Sequence, residues 1–157
     1  MTVALRPMTE AEYPAFRERL LEHYSADIAG ARGLPAGIAL RQATKQADEL
    51  LPHGIHTDGQ LLFTAVDDAG RPVGLLWLAT HSPNGAQAGW IYDVEVDEAH
   101  RGKGYGREIM LLAEQECRRH GLTSLRLNVF GSNAVARSLY ESLGYEVTSQ
   151  NMAKRLV

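Results

Sequence analysis

The chain holds a single cysteine, Cys117, among 157 residues, which excludes an internal disulfide and a cysteine-based metal cluster. Apolar residues make up 45% of it, yet they nowhere gather into the run of roughly 20 that spans a bilayer. The opening stretch MTVALRPMTEAEYPAF lacks the basic start and apolar core of a signal peptide, so a cytoplasmic protein is expected. Positive charge is not in excess: 16 Lys and Arg stand against 19 Asp and Glu, a net charge of -3. That balance argues against a nucleic-acid surface and favours a neutral or cationic small partner. No His, Asp and Glu fall at zinc-like spacing, so no metal is expected. A Walker lysine is missing, and Arg107 stands where GxGxxG needs its last glycine. ATP and NAD lose ground accordingly.

What is present fits one globular core. Thr9 and Glu12 make a capping-box pattern, and Tyr13, Phe16, Leu20, Leu21 and Tyr24 follow at helical spacing, predicting a helix from about Glu10 into the twenties. Ile38, Ala39, Ala43, Ala47, Leu50 and Leu51 predict a second helix that stops at Pro52. Two strand-like runs flank Asp68, Ala69 and Gly70, the polar turn of a β-hairpin. Then come a strand over 90–96, a glycine loop, a helix from about Gly104 to His120, the strand SLRLNVF, the helix NAVARSLYESLG, and terminal strands around YEVTS and MAKRLV. The order is α+β-like early and βαβα late.

The glycine loop RGKGYG, residues 101–106, sits where a strand ends and a helix begins. Its glycines permit close backbone approach, and the helix N-terminus offers N–H groups and a positive dipole end. Arg101, Lys103 and Arg107 add charged donors around the same point. These are the features of a pyrophosphate cradle, although a tight turn with solvated bases would show the same residues.

Arg101, Gly104 and Gly106 match the pattern (R/Q)xxGx(G/A). Downstream, Asn133 opens a helix, Tyr140 lies within it, and Gly144-Tyr145 follows. In these two motifs, at this order and distance, residues 90–145 resemble the GNAT superfamily of acetyl-coenzyme A dependent N-acetyltransferases. The resemblance implies an α/β (α+β) fold in a single domain, 1–157, with a central mixed twisted sheet flanked by helices on both faces. Residues 1–60 would shape the acceptor site, and 61–157 would carry the sheet and the acetyl-coenzyme A cleft. It further implies that the backbone of Val94 and Val96 pairs with the pantetheine arm, and that Val94 N–H polarises the thioester carbonyl. Arg101, Gly102, Lys103, Gly104, Tyr105, Gly106 and Arg107 would wrap the pyrophosphate. Asn133 would either cap its helix or bind pantetheine, and Tyr140 would protonate the leaving thiolate.

The acceptor poses a second proton problem. An alkylamine with a pKa of about 10.4 is only ~0.1% neutral at physiological pH, a handicap of roughly 4 kcal/mol unless a base removes the proton. Strict alternation along 90–96 puts Trp90, Tyr92, Val94 and Val96 on one face and Asp93, Glu95 and Asp97 on the other. Asp93 is the preferred base and Glu95 the second. His23, His53, His56 and His81 are further candidates, and Tyr24 and Trp77 are candidates to line the acceptor pocket. Cys117 and most aromatics read as core. The expected function is transfer of acetyl from acetyl-coenzyme A to a primary amine of a small molecule or peptide by direct attack. A noncatalytic acyl-coenzyme A sensor on the same fold is the alternative, and a homodimer is compatible with either.

Overall fold

A computed structural model describes residues 2–157, and the chain divides into two compact units, one ending at Leu127 and the other Asn128–Val157. In the first unit the elements run β1 (Ala4–Pro7), α1 (Tyr13–Arg32), α2 (Ala36–Leu50), β2 (Gln60–Val66), β3 (Pro72–Ala79), β4 (Gly89–Val96), α3 (Tyr105–Arg119) and β5 (Leu125–Leu127). The second unit holds α4 (Ala134–Ser142). Five strands form one sheet in the order β1-β2-β3-β4-β5. All neighbours are antiparallel except β4 and β5, so the sheet is mixed and β4 is an interior strand.

Local chemistry explains the elements. Thr9 and Glu12 close the expected capping box: Thr9 N–H donates to Glu12 Oε1 at 3.0 Å and Glu12 N–H to Thr9 Oγ1 at 3.2 Å. At the other end of α1, Gly33 adopts φ 62°, and its N–H returns to Ala29 O, a left-handed cap that suits glycine. The β2–β3 turn is built by Asp67, whose Oδ1 accepts from the N–H groups of Ala69 and Arg71.

Helices cover both faces of the sheet. Phe16 and Leu20 of α1, with Ala47 of α2, pack into one cluster with Leu62, Leu75 and Trp77. On the opposite face α3 buries Ile109, Met110, Ala113 and Cys117. The approach there is close: a Cβ on Gly89 would lie 2.4 Å from Cys117 Sγ.

Three expectations are corrected. Strand β1 was not anticipated, because four residues ending in a proline carry little strand signal; Pro7 is tolerated at an edge. The strand expected over SLRLNVF shrinks to Leu125–Leu127. The terminal segments YEVTS and MAKRLV form no strand among the described residues. Val147, Met152 and Leu156 are exposed, so their apolar side chains bury nothing that would hold a strand there.

Candidate active site

The register between β3 and β4 sets the site. Leu75 faces Glu95, Trp77 faces Asp93, Leu78 faces Ile91 and Ala79 faces Trp90, with a shift that leaves Tyr92 as an extra residue. Directly opposed residues of an antiparallel pair share a face. The bulge therefore breaks the strict alternation expected along 90–96: an added residue reverses the parity of everything beyond it. Trp90, Tyr92, Asp93 and Glu95 all lie on the Trp77 face, under α1. Val94 and Val96 keep the opposite face, against Leu76 and Gly74.

An aromatic layer supports the acids. Trp77 is fully buried, and its indole N–H donates to Gln60 Oε1 at 2.6 Å. Phe16 meets Trp77 edge-on at 6.0 Å, Tyr92 stacks on it at 4.5 Å, and Trp90 meets Tyr92 edge-on at 6.4 Å. Trp77 is thus a floor rather than an exposed pocket wall. Tyr24 of α1 is half-buried. Burial, then the neighbouring Asp93, Tyr92 and Asp27, push its hydroxyl far above the ordinary phenol range, so it stays a proton donor.

Asp93 sits in this apolar setting with Glu95 two residues along on the same face. Burial pushes the Asp93 carboxyl up from 3.8 to about 7, and the charge of Glu95 and a hydrogen bond between the two carboxyls push the same way. Arg19 and the Val94 N–H pull more weakly in the other direction. A carboxyl raised to about 7 is equipped to take a proton from an incoming cation near neutrality. Of the four candidate histidines only His23 reaches this pair, with Nδ1 3.6 Å from Glu95 Oε1. His56 instead meets Glu10 at 2.8 Å, His53 offers its backbone N–H to Thr57, and His81 lies beside Gly59. Asp97 belongs to the turn after β4, where its N–H donates to Val73 O and its own carbonyl accepts from His100.

Beyond Val96 the loop turns through Gly102 at φ 79° and Gly104 at φ 85°, a conformation that favours glycine. Arg101 Nε donates to Val96 O at 3.0 Å and fastens the loop to the strand end. Arg101, Gly102, Lys103, Gly104 and Arg107 are exposed, Gly106 is half-buried and Tyr105 is buried. A Cβ on either Gly102 or Gly104 would meet nothing within 4 Å, so the outer side of the cradle is open to an anion. Strand β5 pairs β4 only along Gly89–Ile91, which leaves the Val94–Val96 stretch beyond the β5 ladder. The residues present fit an extended, phosphate-bearing arm. Val94 N–H, however, is engaged with the Asp93 carboxyl.

In the second unit Asn133 caps α4: its Oδ1 accepts from Ala136 N–H at 3.2 Å. Tyr140 is half-buried, its ring 6.0 Å edge-on from Tyr145, and its carbonyl accepts from the N–H groups of Leu143 and Tyr145.

Two features of the site escaped sequence reasoning. Arg19 lies four residues before His23 on α1, a spacing that puts both on one side of the helix, but nothing in the sequence alone says which strand that side meets. The bulge at Tyr92 has no glycine or proline to announce it.

The fold is that of an α/β protein with a mixed five-stranded sheet, and comparison with known proteins gives its class. The profile of the Acetyltransferase (GNAT) family matches residues 13–145. YycN of Bacillus subtilis, named an uncharacterized N-acetyltransferase, is 32% identical over 158 residues, spanning 99% of this chain and 100% of its own. The crystal structure of YycN superposes with a TM-score of 0.88 at 30% identity over 99% of both chains. AAC(6')-Iy, solved with the bisubstrate analog CoA-S-monomethyl-acetylneamine, shares the fold at a TM-score of 0.63 and 15% identity, covering 100% of this chain and 99% of that one. The chain belongs to the GNAT acetyltransferase family.

Proposed function

We propose that the protein transfers the acetyl group of acetyl-coenzyme A to a primary amine of a small molecule or peptide, with Asp93 and Glu95 as the base. The observation that carries this reading is the carboxyl pair, set by the bulge on the aromatic face under α1, with its proton held near neutrality. An ammonium approaching this face meets the partly ionised pair and gives it one proton. The neutral amine attacks the thioester carbon. The carbon–sulfur bond then breaks, and the second nitrogen proton ends on the thiolate.

Each remaining residue has a part. Gly102 to Arg107, with Arg101, hold the pyrophosphate, and Val94 and Val96 hold the pantetheine arm by their backbone. When Asp93 is protonated its pull on Val94 N–H weakens, which releases that donor for the thioester oxygen. Asn133 already caps α4, so any pantetheine contact comes from its amide NH2. Tyr140 passes that second proton on: its hydroxyl proton goes to sulfur and the nitrogen proton replaces it on the phenolate oxygen. Residues 1–60, through α1, form the acceptor side, and 61–157 the acetyl-coenzyme A side. A cationic small molecule suits the carboxyl pair best, and the cytoplasm is where acetyl-coenzyme A would be met.

The test is thiol release from acetyl-coenzyme A in the presence of putrescine, spermidine, L-lysine or neamine, with wild type and Tyr140→Phe. Amine-dependent release that Tyr140→Phe weakens is the expected result. A thermal shift with acetyl-coenzyme A and no release with any amine would instead indicate an acyl-coenzyme A sensor.

A further inference from the structure

The base just described has to lose its proton again before the next turnover, and water reaches it only in part. Asp93 and Glu95 are half-buried beneath α1, with the aromatic layer of Trp77 and Tyr92 beside them. Glu95 has one neighbour that reaches outward: His23 on α1, Nδ1 at 3.6 Å from Glu95 Oε1, with the His23 side chain 58% exposed and that of Glu95 24% exposed. The order from inside to outside is Asp93, Glu95, His23, solvent.

We infer that His23 is a relay residue that carries the acceptor's proton from the Asp93–Glu95 pair to water. This rests on the reading of the pair as the base. The proton taken from the ammonium is shared between the two carboxyls through the hydrogen bond that joins them. Once the 3.6 Å separation closes to hydrogen-bond contact by side-chain rotation, Glu95 passes it to the lone pair of His23 Nδ1, and the imidazolium releases the proton on Nε2 to solvent. The carboxyl pair is left ready for the next ammonium, and the imidazole recovers its first tautomer by exchange with water. The account balances: the ammonium loses two protons, one to sulfur and one to solvent, and no oxidant or metal is needed.

The neighbouring groups agree with this direction of flow. Arg19 is the cation acting on Asp93 from α1, and it cannot give up its proton at neutral pH. Tyr24 is held as a protonated phenol by burial and by Asp93, Tyr92 and Asp27, so it accepts nothing. Tyr92 is likewise raised by burial. Among these groups facing the pair, the imidazole is the one that can take a proton at one ring nitrogen and release another from the second. Because His23 acts through Glu95, its loss slows turnover and leaves acetyl-coenzyme A binding intact.

The experiment compares wild type, His23→Gln and His23→Asn in thiol release with acetyl-coenzyme A and the same four amines, at low buffer concentration, with and without added imidazole. Expected is a fall in kcat of about ten-fold in both variants, an unchanged KM for acetyl-coenzyme A, and recovery as imidazole is added but not with sodium chloride at equal ionic strength. Full kcat in His23→Gln at low buffer would overturn the relay while leaving the carboxyl base standing. A loss that imidazole does not restore would also overturn it, marking His23 as structural. No amine-dependent release by wild type would overturn the base and the relay together.

Discussion

Glu12, at the N-terminal end of α1, and Asp93, near Arg19 and Tyr24 of the same helix, have surroundings that push their carboxyls in opposite directions. Glu12 accepts from both terminal nitrogens of Arg6 at 2.8 and 2.9 Å, from Thr9 N–H at 3.0 Å and from Thr64 Oγ1 at 3.1 Å. The Arg6 hydrogen bonds lead in holding its carboxyl down at about 2, against an opposing effect of burial. Asp93 has burial and a second carboxylate for company and is raised to about 7. Glu12 is fully satisfied and ties the β1–α1 corner to the sheet. Asp93 keeps its proton to higher pH than an ordinary carboxyl, the environment expected of the base proposed above.

The largest break in that comparison comes from Asp93→Asn, which keeps the shape and removes the proton acceptor. A loss of roughly 10²- to 10⁴-fold in kcat/KM for the amine is expected, read by thiol release. Adding Glu95→Gln should cost little more, because the two carboxyls act as a unit. Gly74→Ala strikes the same region through the backbone: its Cβ would lie 2.3 Å from Glu95 O. The β3–β4 ladder must move, at a cost of up to about 3 kcal/mol in urea unfolding, and turnover should fall with it.

Glu12→Gln tests the other side. Losing the charge opposite Arg6 should cost about 2 kcal/mol near pH 7 while folded molecules keep their turnover. Because the folded carboxyl titrates at about 2 instead of 4.5, its stabilisation is complete above 4.5 and is lost as pH falls through that window. Asp93 has the opposite sign. Its folded carboxyl holds a proton up to about 7 that the unfolded chain loses near 3.8, so its contribution to stability falls as pH rises across that window. Asp93→Asn should therefore be more stable than wild type above pH 7, by about 1 kcal/mol or a few degrees in Tm, while its turnover falls as predicted above.

Much of this arrangement was legible in the sequence. The Thr9–Glu12 capping box, the turn at Asp68, Ala69 and Gly70 and the glycines at 102 and 104 are local chemistry, and each stands where its spacing placed it. The face on which Asp93 and Glu95 lie relative to Trp90 and Tyr92 was not legible, because a single extra residue at Tyr92 reverses the parity and depends on the partner strand. Likewise the pairing of His23 with Glu95 joins residues far apart in sequence through tertiary packing. The terminal segments fail for the converse reason. Their apolar residues are real, but a strand needs a pairing partner as well as apolar residues.

The most direct test of the carboxyl pair as the base is the pH dependence of kcat/KM for a turned-over amine, in wild type and in Glu95→Gln. The account predicts a rise through an acid limb centred near 7, as the Asp93 value of about 7 implies. That limb moves to lower pH when the neighbouring negative charge is removed. A limb that stays at the same pH in Glu95→Gln, and persists at full height in Asp93→Asn, would contradict it.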